Sequence, residues 1–242
     1  MAHDMDIIRQ IEEQIGEELK PLPLEDIWKV NGYALNIHTG QVKGLNLNGR
    51  KIKEISFLMG LSGLTHLSLY SNQITDLTPL SALTELKELN LTRNQITDLT
   101  PLSALTKLTS LILGRNQITD LTLLSIQKKL TNLHLSGNQI RDLTPLNALT
   151  DLARLDLNYN QITDLTPLHP LANLTWLDLG GNQITDLMPL KNLTNLNWLK
   201  LNSNQIEGLT PLRTLSVSTI ISTQAISSDH ITTEMGTILF VT

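Results

Sequence analysis

The sequence predicts an α/β solenoid, a stack of short coils that each contribute one strand to a parallel sheet. The 242-residue chain repeats a frame of leucines with a period of 22 residues, and every full copy carries an asparagine in the same phase. A coil of this length cannot bury its own leucines, so it has to stack on its neighbours. The asparagines at 22-residue steps are Asn72, Asn94, Asn116, Asn138, Asn160, Asn182 and Asn204.

Each copy has the same internal order. In the first full copy, Leu67 and Leu69 alternate along a short strand and point inward, so His66, Ser68 and Tyr70 point outward. The asparagine that follows is expected to bond backbone groups of its own and neighbouring coils. A Thr-Pro pair then predicts a threonine N-cap and a proline at the first helical position, so each coil returns through a short helical turn.

The two ends of the chain depart from this frame. Residues 4–19 have the apolar spacing of an amphipathic helix, which Pro21 and Pro23 are expected to end. Trp28 is interpreted as a cap residue, and two short strands around a turn at Gly40 follow. The predicted division is an N-terminal cap over residues 1–41, one degenerate coil plus seven regular repeats over 42–217, and a C-terminal tail or cap over 218–242.

Three places break the pattern. Arg50 stands at the asparagine position of the degenerate first coil, as expected at a transition into a cap. In the third full repeat, Leu123 replaces the proline and Gln127 replaces a leucine, next to Ile126, which we interpret as a local change of register in one return helix. Residues 218–242 lose the frame, and form either a β-rich lid or a degraded eighth repeat.

The amino-acid composition limits the kinds of partner and the cellular compartments that we expect for this protein. The net charge is −5 and no basic block occurs, which argues against nucleic acid or an anionic membrane surface as the main partner. The absence of cysteine favours a reducing compartment. The N-terminus is acidic from residue 4, unlike a secretory signal, and no apolar run reaches the length of a membrane span. We therefore expect a cytoplasmic protein without membrane insertion, whose oligomeric state stays open.

The frame LxxLxLxxNxIxDLxPLxxL resembles the 22-residue repeats of internalins and of a phosphatase-regulating subunit of eukaryotes. The resemblance implies an α/β leucine-rich repeat solenoid, with a curved parallel β-sheet on the concave face, short helical or 3-10 turns on the convex face and an α-helical N-terminal cap.

The N-terminal part carries a second resemblance. The segment DIIRQIEEQIGEEL, then Trp28, then GQVKGLNL resembles the start of the leucine-rich-repeat region of bacterial Roco proteins, in which a GTPase module follows the repeats. The phosphate-binding motif GxxxxGK[ST] does not occur in the sequence, so GTP binding is not implied for this chain.

The outward strand positions form columns whose residues vary from coil to coil. Trp176 and Trp198 share a column in adjacent coils, so their indoles are expected about 5 Å apart at the base. Tryptophan and arginine flanked by charges have the composition of a protein-binding hot spot. The alternative is that the indoles stack on each other and merely cover the sheet. The residues predicted to bind a protein partner on the concave face are Arg154, Asp156, Tyr159, Trp176, Asp178, Trp198 and Lys200, with Tyr70, His66 and Glu88.

Other chemistries have weaker support. An aspartate recurs from Asp76 to Asp186 and could indicate calcium, but an aspartate in a turn also bonds its own backbone. The sequence therefore predicts a non-enzymatic scaffold for a protein partner, with no catalytic residue, no cofactor and no metal. The alternatives are an exported internalin-like adhesin and a leucine-rich-repeat fragment of a Roco-like GTPase regulator without independent activity.

Overall fold

The structure is a computed structural model that describes residues 2–213, 215, 219–222 and 237–240. The chain forms two compact units, Met1–Gln117 and Ile118–Thr242, called here the N-terminal and C-terminal units. In both units the regular coils have a short strand on one side and a 3-10 helix on the other. The predicted repeat solenoid, with 3-10 turns on its return side and a helical cap, is confirmed.

The N-terminal unit begins with helix α1, Ala2–Ile15. Strand β1 is parallel to β2, β2 is antiparallel to β3, and β3 to β6 are parallel. The strands are β1 (Lys20–Pro21), β2 (Gly32–Leu35), β3 (Val42–Asn46), β4 (His66–Ser68), β5 (Glu88–Asn90) and β6 (Ser110–Ile112). The 3-10 helices are Leu24–Asp26, Ser56–Gly60, Thr78–Ala82 and Thr100–Ala104.

The C-terminal unit continues the repeat with parallel strands in the order β7 to β12. The strands are β7 (Asn132–His134), β8 (Arg154–Asp156), β9 (Trp176–Asp178), β10 (Trp198–Lys200), β11 (Thr219–Ser222) and β12 (Thr237–Phe240). The 3-10 helices are Thr122–Ile126, Thr144–Ala148, Thr166–Leu168, Met188–Leu190 and Thr210–Leu212.

The leucines of the frame form the core in each unit. Within the C-terminal unit, Leu155, Leu177 and Leu199 are paired in register and fully buried. Burying one leucine side chain stabilises a fold by about 2 kcal/mol, and each coil contributes several. Strands β4 to β10 are only three residues long, so this stacking of leucines, rather than the strand length, holds the coils together.

Within each unit, the ladder asparagines join one coil to the coil before it. The side-chain nitrogen of Asn182 donates to the carbonyls of Leu179 in its own coil and Leu157 in the preceding coil, both at 3.0 Å. Its oxygen accepts from the backbone N–H of Ile162 at 3.1 Å. The asparagine is 7% exposed and its hydrogen bonds are buried, so the N–H of Ile162 would be left without a partner, at a cost in stability, if the amide were absent. Asn94 makes the matching bonds in the N-terminal unit.

The return helices begin differently from the prediction. In the coil at Thr78–Ala82 the N-cap residue is Leu77, which makes no side-chain cap bond, so Thr78 is not the cap. Instead the backbone N–H of Thr78 donates to the carboxylate of Asp76 at 2.8 Å. The recurring aspartate satisfies the first free N–H of the helix, as expected for an aspartate that bonds its own turn. In the later coils the backbone N–H two residues further on donates in the same way to the carboxylates of Asp98, Asp120, Asp142, Asp164 and Asp186.

Helix α1 also ends earlier than predicted. Its last residue is Ile15, and Gly16 adopts a left-handed conformation with a φ of 69° while its N–H bonds the carbonyl of Glu12. A glycine of this kind is a common helix terminator, so Gly16 ends the helix rather than Pro21 or Pro23. The predicted pair of strands that follows is confirmed as the antiparallel pair β2 and β3.

The third full repeat keeps its register, so the predicted change of register is wrong. Its return helix, Thr122–Ile126, has the same length and position in the repeat as those of the neighbouring repeats, Thr100–Ala104 and Thr144–Ala148. The N–H of Gln127 donates to the carbonyl of Leu124, just as the N–H of Leu83 donates to the carbonyl of Leu80 in the first full repeat. Gln127 is 2% exposed and fills the place of the leucine, while Ile126 is 50% exposed. The frame tolerates a buried amide at this position without shifting.

The tail predicted over residues 218–242 lies in part outside the described residues, which there include only 219–222 and 237–240. Within these, β11 pairs in parallel with β10, with Thr219 opposite Trp198, and β12 pairs with β11. The parallel pairing continues the direction of the coils. The choice between a lid and a degraded repeat stays a prediction.

Replacing a ladder asparagine should destabilise the protein strongly. Asn182→Ala leaves the buried N–H of Ile162 without a partner and removes one hydrogen bond from each of the carbonyls of Leu157 and Leu179, which keep their bonds to Asn160 and Asn204. We therefore expect the free energy of unfolding to fall by about 3 kcal/mol. Urea unfolding followed by circular dichroism measures this loss. Gln183→Ala is the matched control because Gln183 is exposed beside it, and equal losses for the two variants would contradict the role of the ladder.

The aspartates before the return helices should make the fold sensitive to acid. The pKa of Asp76, Asp120, Asp142 and Asp164 is lowered from 3.8, first because a threonine hydroxyl bonds each carboxylate and then because the same residue donates its N–H. The unfolded state therefore binds protons more readily, so the stability that these bonds contribute is present above about pH 4. It is lost as the pH falls through the lowered pKa of the folded state.

The test is urea unfolding at pH 5 and at pH 3, in wild type and in a variant with all four aspartates changed to asparagine. Asparagine keeps an acceptor oxygen but does not titrate, so the variant should lose less stability on acidification. The same pH dependence in both proteins would show that these carboxylates do not govern acid unfolding.

Candidate functional site

Most of the predicted binding residues lie together on the outward side of strands β7 to β10 in the C-terminal unit. The 22-residue period places equivalent positions opposite each other, so that Arg154 pairs with Trp176 and Trp176 with Trp198. We call this surface the strand face of the C-terminal unit. Its residues are Asn132, His134, Arg154, Asp156, Trp176, Asp178, Trp198 and Lys200, with Asn158, Tyr159, Gly180 and Asn202 where the strands end.

The two tryptophans form a parallel stack. The ring centroids of Trp176 and Trp198 are 4.4 Å apart and their planes differ by 3°. The guanidinium carbon of Arg154 lies 5.2 Å from the ring centre of Trp176, and the ring of His134 lies 6.2 Å away at 22°. The indoles do stack on each other, and both remain half-buried on the strand face rather than inside the coil. The result is a rigid row of aromatic and cationic side chains.

Asp178 is less accessible than its outward strand position predicts. It is 3% exposed, because neighbouring side chains cover it. One carboxylate oxygen accepts from the N–H of Gly180 at 2.9 Å, and the other accepts from the Asn158 side chain at 3.0 Å and from Lys200 at 3.3 Å. A buried carboxylate needs such partners, and here it has three. Asp178 thus holds Asn158 and Lys200 in place across three adjacent strands.

Asp156 is also more buried than predicted, at 9% exposure. It accepts from the backbone N–H of Asn158 at 3.1 Å, and its second oxygen lies 3.5 Å from the ring of His134. The other ring nitrogen of His134 lies 2.9 Å from the side-chain oxygen of Asn132. His134 therefore belongs to the site, next to Asp156 and the stacked indoles.

Tyr159 marks the edge of the strand face. It is 65% exposed and has a left-handed backbone, with a φ of 52°. A Cβ at Gly181 would lie 2.7 Å from the Tyr159 ring, so the ring rests against the glycine backbone. A Cβ at Gly180 would lie 2.6 Å from the Asn202 side chain. The two glycines therefore leave the room that these side chains occupy.

The other predicted residues form a separate cluster in the N-terminal unit. The ring of His66 lies 6.1 Å from that of Trp28, and its Nε2 is 3.5 Å from the carboxylate of Glu88. Trp28 was predicted to be a cap residue. In the structure it also contacts His66, which lies on strand β4. Burial lowers the pKa of His66 below 6.5, and the charge of Glu88 partly opposes this effect. Tyr70 makes a different contact, with the guanidinium of Arg93 5.6 Å from its ring centre.

Sequence reasoning missed four contacting residues: His134 and Asn158 on the strand face of the C-terminal unit, and Trp28 and Arg93, which contact His66 and Tyr70 in the N-terminal unit and lie outside that face. His134 and Asn158 occupy outward columns next to residues that were chosen, so the register alone could have found them. The contact of Trp28 with His66 depends on the conformation of the cap, which has no period in the sequence. Arg93, in contrast, occupies the turn position that Tyr159 occupies in its own coil, so the period could have indicated it.

The described residues also bear on metals and membranes. No group of three or more His, Asp or Glu side chains among them could hold a metal ion. No helix in the same residues has the length and apolar character needed to cross a bilayer.

Comparison with known proteins identifies the repeat. A model of two leucine-rich repeats matches residues 41–82, 84–125 and 128–168, and a single-repeat model matches residues 173–193. A search of curated proteins gives no significant match. The Roco resemblance has no support in these comparisons and stays a prediction.

Several solved structures share the fold. An internalin of Listeria monocytogenes, internalin F, is 31% identical over 79% of this chain and 72% of its own, with a TM-score of 0.65. Internalin C2 of the same organism is 28% identical over 98% and 93%, with a TM-score of 0.70. A leucine-rich-repeat protein of Leptospira interrogans is 25% identical over 87% and 65%, with a TM-score of 0.70. Two of these three structures are internalins.

The environment of His66 gives a titration with a definite direction. Glu88→Gln removes a charge that raises the pKa of His66, so the pKa should fall further below 6.5. Trp28→Ala admits water to the imidazole and should move the pKa back toward 6.5. Carbon–proton NMR spectra of the imidazole across pH 4 to 8 measure both shifts. Shifts of the same sign in the two variants would contradict this account.

Proposed function

The chain belongs to the leucine-rich-repeat family, and we propose that it binds a partner protein through the strand face of the C-terminal unit. Proteins of this family are typically non-enzymatic interaction modules, and a protein–protein interaction module is the general function that the repeat supports. The proposal adds the location of the contact and the residues that contribute most to it.

The main support for this proposal is the stack of Trp176 and Trp198, with the exposed Arg154 packed against the ring of Trp176. Tryptophan and arginine are the residues most enriched in binding hot spots. The two rings already have fixed orientations because they pack on each other at 4.4 Å, so binding would cost little side-chain entropy. A rigid pair of large rings is a suitable anchor for a protein partner.

The aromatic content of the chain also favours binding over a purely structural role. The sequence contains only three tryptophans, three tyrosines and two phenylalanines. Trp176, Trp198 and Tyr159 all lie on one surface, where the repeat frame does not require them. At the strand position that the two tryptophans occupy, other coils carry polar residues such as Glu88, Ser110 and Asn132, so the sheet does not need indoles there as a cover.

For the compartment, we propose the cytoplasm, on the basis of a composition without cysteine. A second candidate is an exported protein that contacts a cell surface, and the similarity to internalins F and C2 favours it. Immunoblots of culture medium and of cell lysate distinguish the two, because an exported protein accumulates in the medium.

The test of the binding site is the double variant Trp176→Ala with Trp198→Ala. Partners captured from a lysate of the source cells are identified by mass spectrometry, and the dissociation constant of each is then measured with purified proteins. We expect the double variant to bind at least about 30-fold more weakly, since a hot-spot residue contributes about 2 kcal/mol or more.

The matched control is Trp28→Ala. Trp28 is the third tryptophan of the chain, and it lies in the N-terminal unit, outside the strand face of the C-terminal unit. The binding of this variant should stay close to that of the wild type. Urea unfolding of all three proteins shows whether the fold is kept. A folded double variant that binds as tightly as the wild type would refute the assignment.

A further inference from the structure

The charged groups on the strand face of the C-terminal unit differ in their access to water. The side chains of Asp156 and Asp178 are 13% and 5% exposed and lie close to the sheet. The side chain of Lys200 is 29% exposed, and Arg154 is exposed as a whole. A molecule that approaches this surface therefore meets cations first, although the whole chain carries a net charge of −5.

Arg154 is the cation whose hydrogen-bond donors are available to a partner. The oxygens of Asp156 and Asp178 already have the partners described above, and Lys200 is bound to Asp178. Among the described residues, none accepts a hydrogen bond from the guanidinium of Arg154. Its position 5.2 Å from the ring centre of Trp176 limits its motion and leaves its N–H donors available.

The chemistry of this group specifies its ligand. A guanidinium presents its N–H donors in a planar fork that matches the two oxygens of a carboxylate. The adjacent indoles of Trp176 and Trp198 offer apolar edges that suit the hydrocarbon part of a peptide rather than a free anion. Charge and shape together therefore favour an acidic peptide segment over a neutral or basic one.

We propose that the strand face recognises an acidic segment of its partner, in which an aspartate or glutamate carboxylate binds Arg154 through two parallel hydrogen bonds. This inference rests on the proposed function and specifies the chemistry of the partner. The tryptophan pair contacts the apolar part of the same segment. Lys200 adds attraction over a longer range, which salt weakens.

The probe for the test is a phage library of random 12-residue peptides, selected on the immobilised full chain. Each selected clone is then measured against the wild type, the double variant Trp176→Ala with Trp198→Ala, and Arg154→Gln. Clones that require the tryptophan pair should be enriched in aspartate and glutamate relative to the unselected library. Their binding to Arg154→Gln should be about tenfold weaker or worse.

Arg93→Gln is the matched control, because Arg93 is also exposed and also lies beside an aromatic ring, that of Tyr70. The tryptophan-dependent peptides should bind Arg93→Gln as they bind the wild type. Synthetic copies of these peptides with each acidic residue changed to its amide should reproduce the loss seen with Arg154→Gln.

The outcomes separate this inference from the proposed function. Tryptophan-dependent peptides that lack acidic residues, or that bind Arg154→Gln unchanged, overturn the acidic specificity and leave the binding face in place. A selection that yields no tryptophan-dependent peptide overturns both proposals.

Discussion

The buried asparagine amide is the constraint on which the rest of the structure depends. The Asn160 side chain, for example, donates to the carbonyls of Leu157 in its own coil and Leu135 in the preceding coil, and accepts from the N–H of Ile140 in the preceding coil. The carbonyls of Leu157 and Leu135 also accept from Asn182 and Asn138, so successive amides share them, whereas the buried N–H of Ile140 would lose its partner without Asn160. Because one side chain meets the need in each regular coil, the strand positions outside the frame are free to vary.

This frame also determines which side chains become neighbours. Residues 22 positions apart in sequence lie on adjacent strands about 4.8 Å apart, which is close to the distance at which aromatic rings stack. Placing tryptophan at the same outward position in two consecutive coils is therefore enough to produce the parallel pair of Trp176 and Trp198. The binding surface needs no special backbone, because side chains chosen coil by coil are brought into rows by the repeat.

Much of the fold could be predicted because it follows from the period. The inward leucines, the parallel strands and the adjacency of the two tryptophans all depend on register alone. The burial of Asp178 could not be predicted, since it depends on how Asn158 and Lys200 orient toward it. The end of helix α1 at Gly16 and the contact of Trp28 with His66 were missed for a related reason. Both lie in the cap, where each residue occurs once and no period exists.

The glycines at the end of β9 show how the repeat shapes the site as well as positioning it. In the coil turns, the residue before the ladder asparagine adopts a left-handed conformation, as Tyr159 and Gly181 do. One coil has Tyr159 at this position, and the next coil has Gly181. Because Gly181 has no Cβ, the Tyr159 ring can pack against its backbone. A side chain at Gly181 would push the ring away, so the edge of the strand face depends on a pair of unequal neighbours. The specificity of such a surface therefore lies in differences between adjacent coils, since the features common to all coils are already used in holding the stack together.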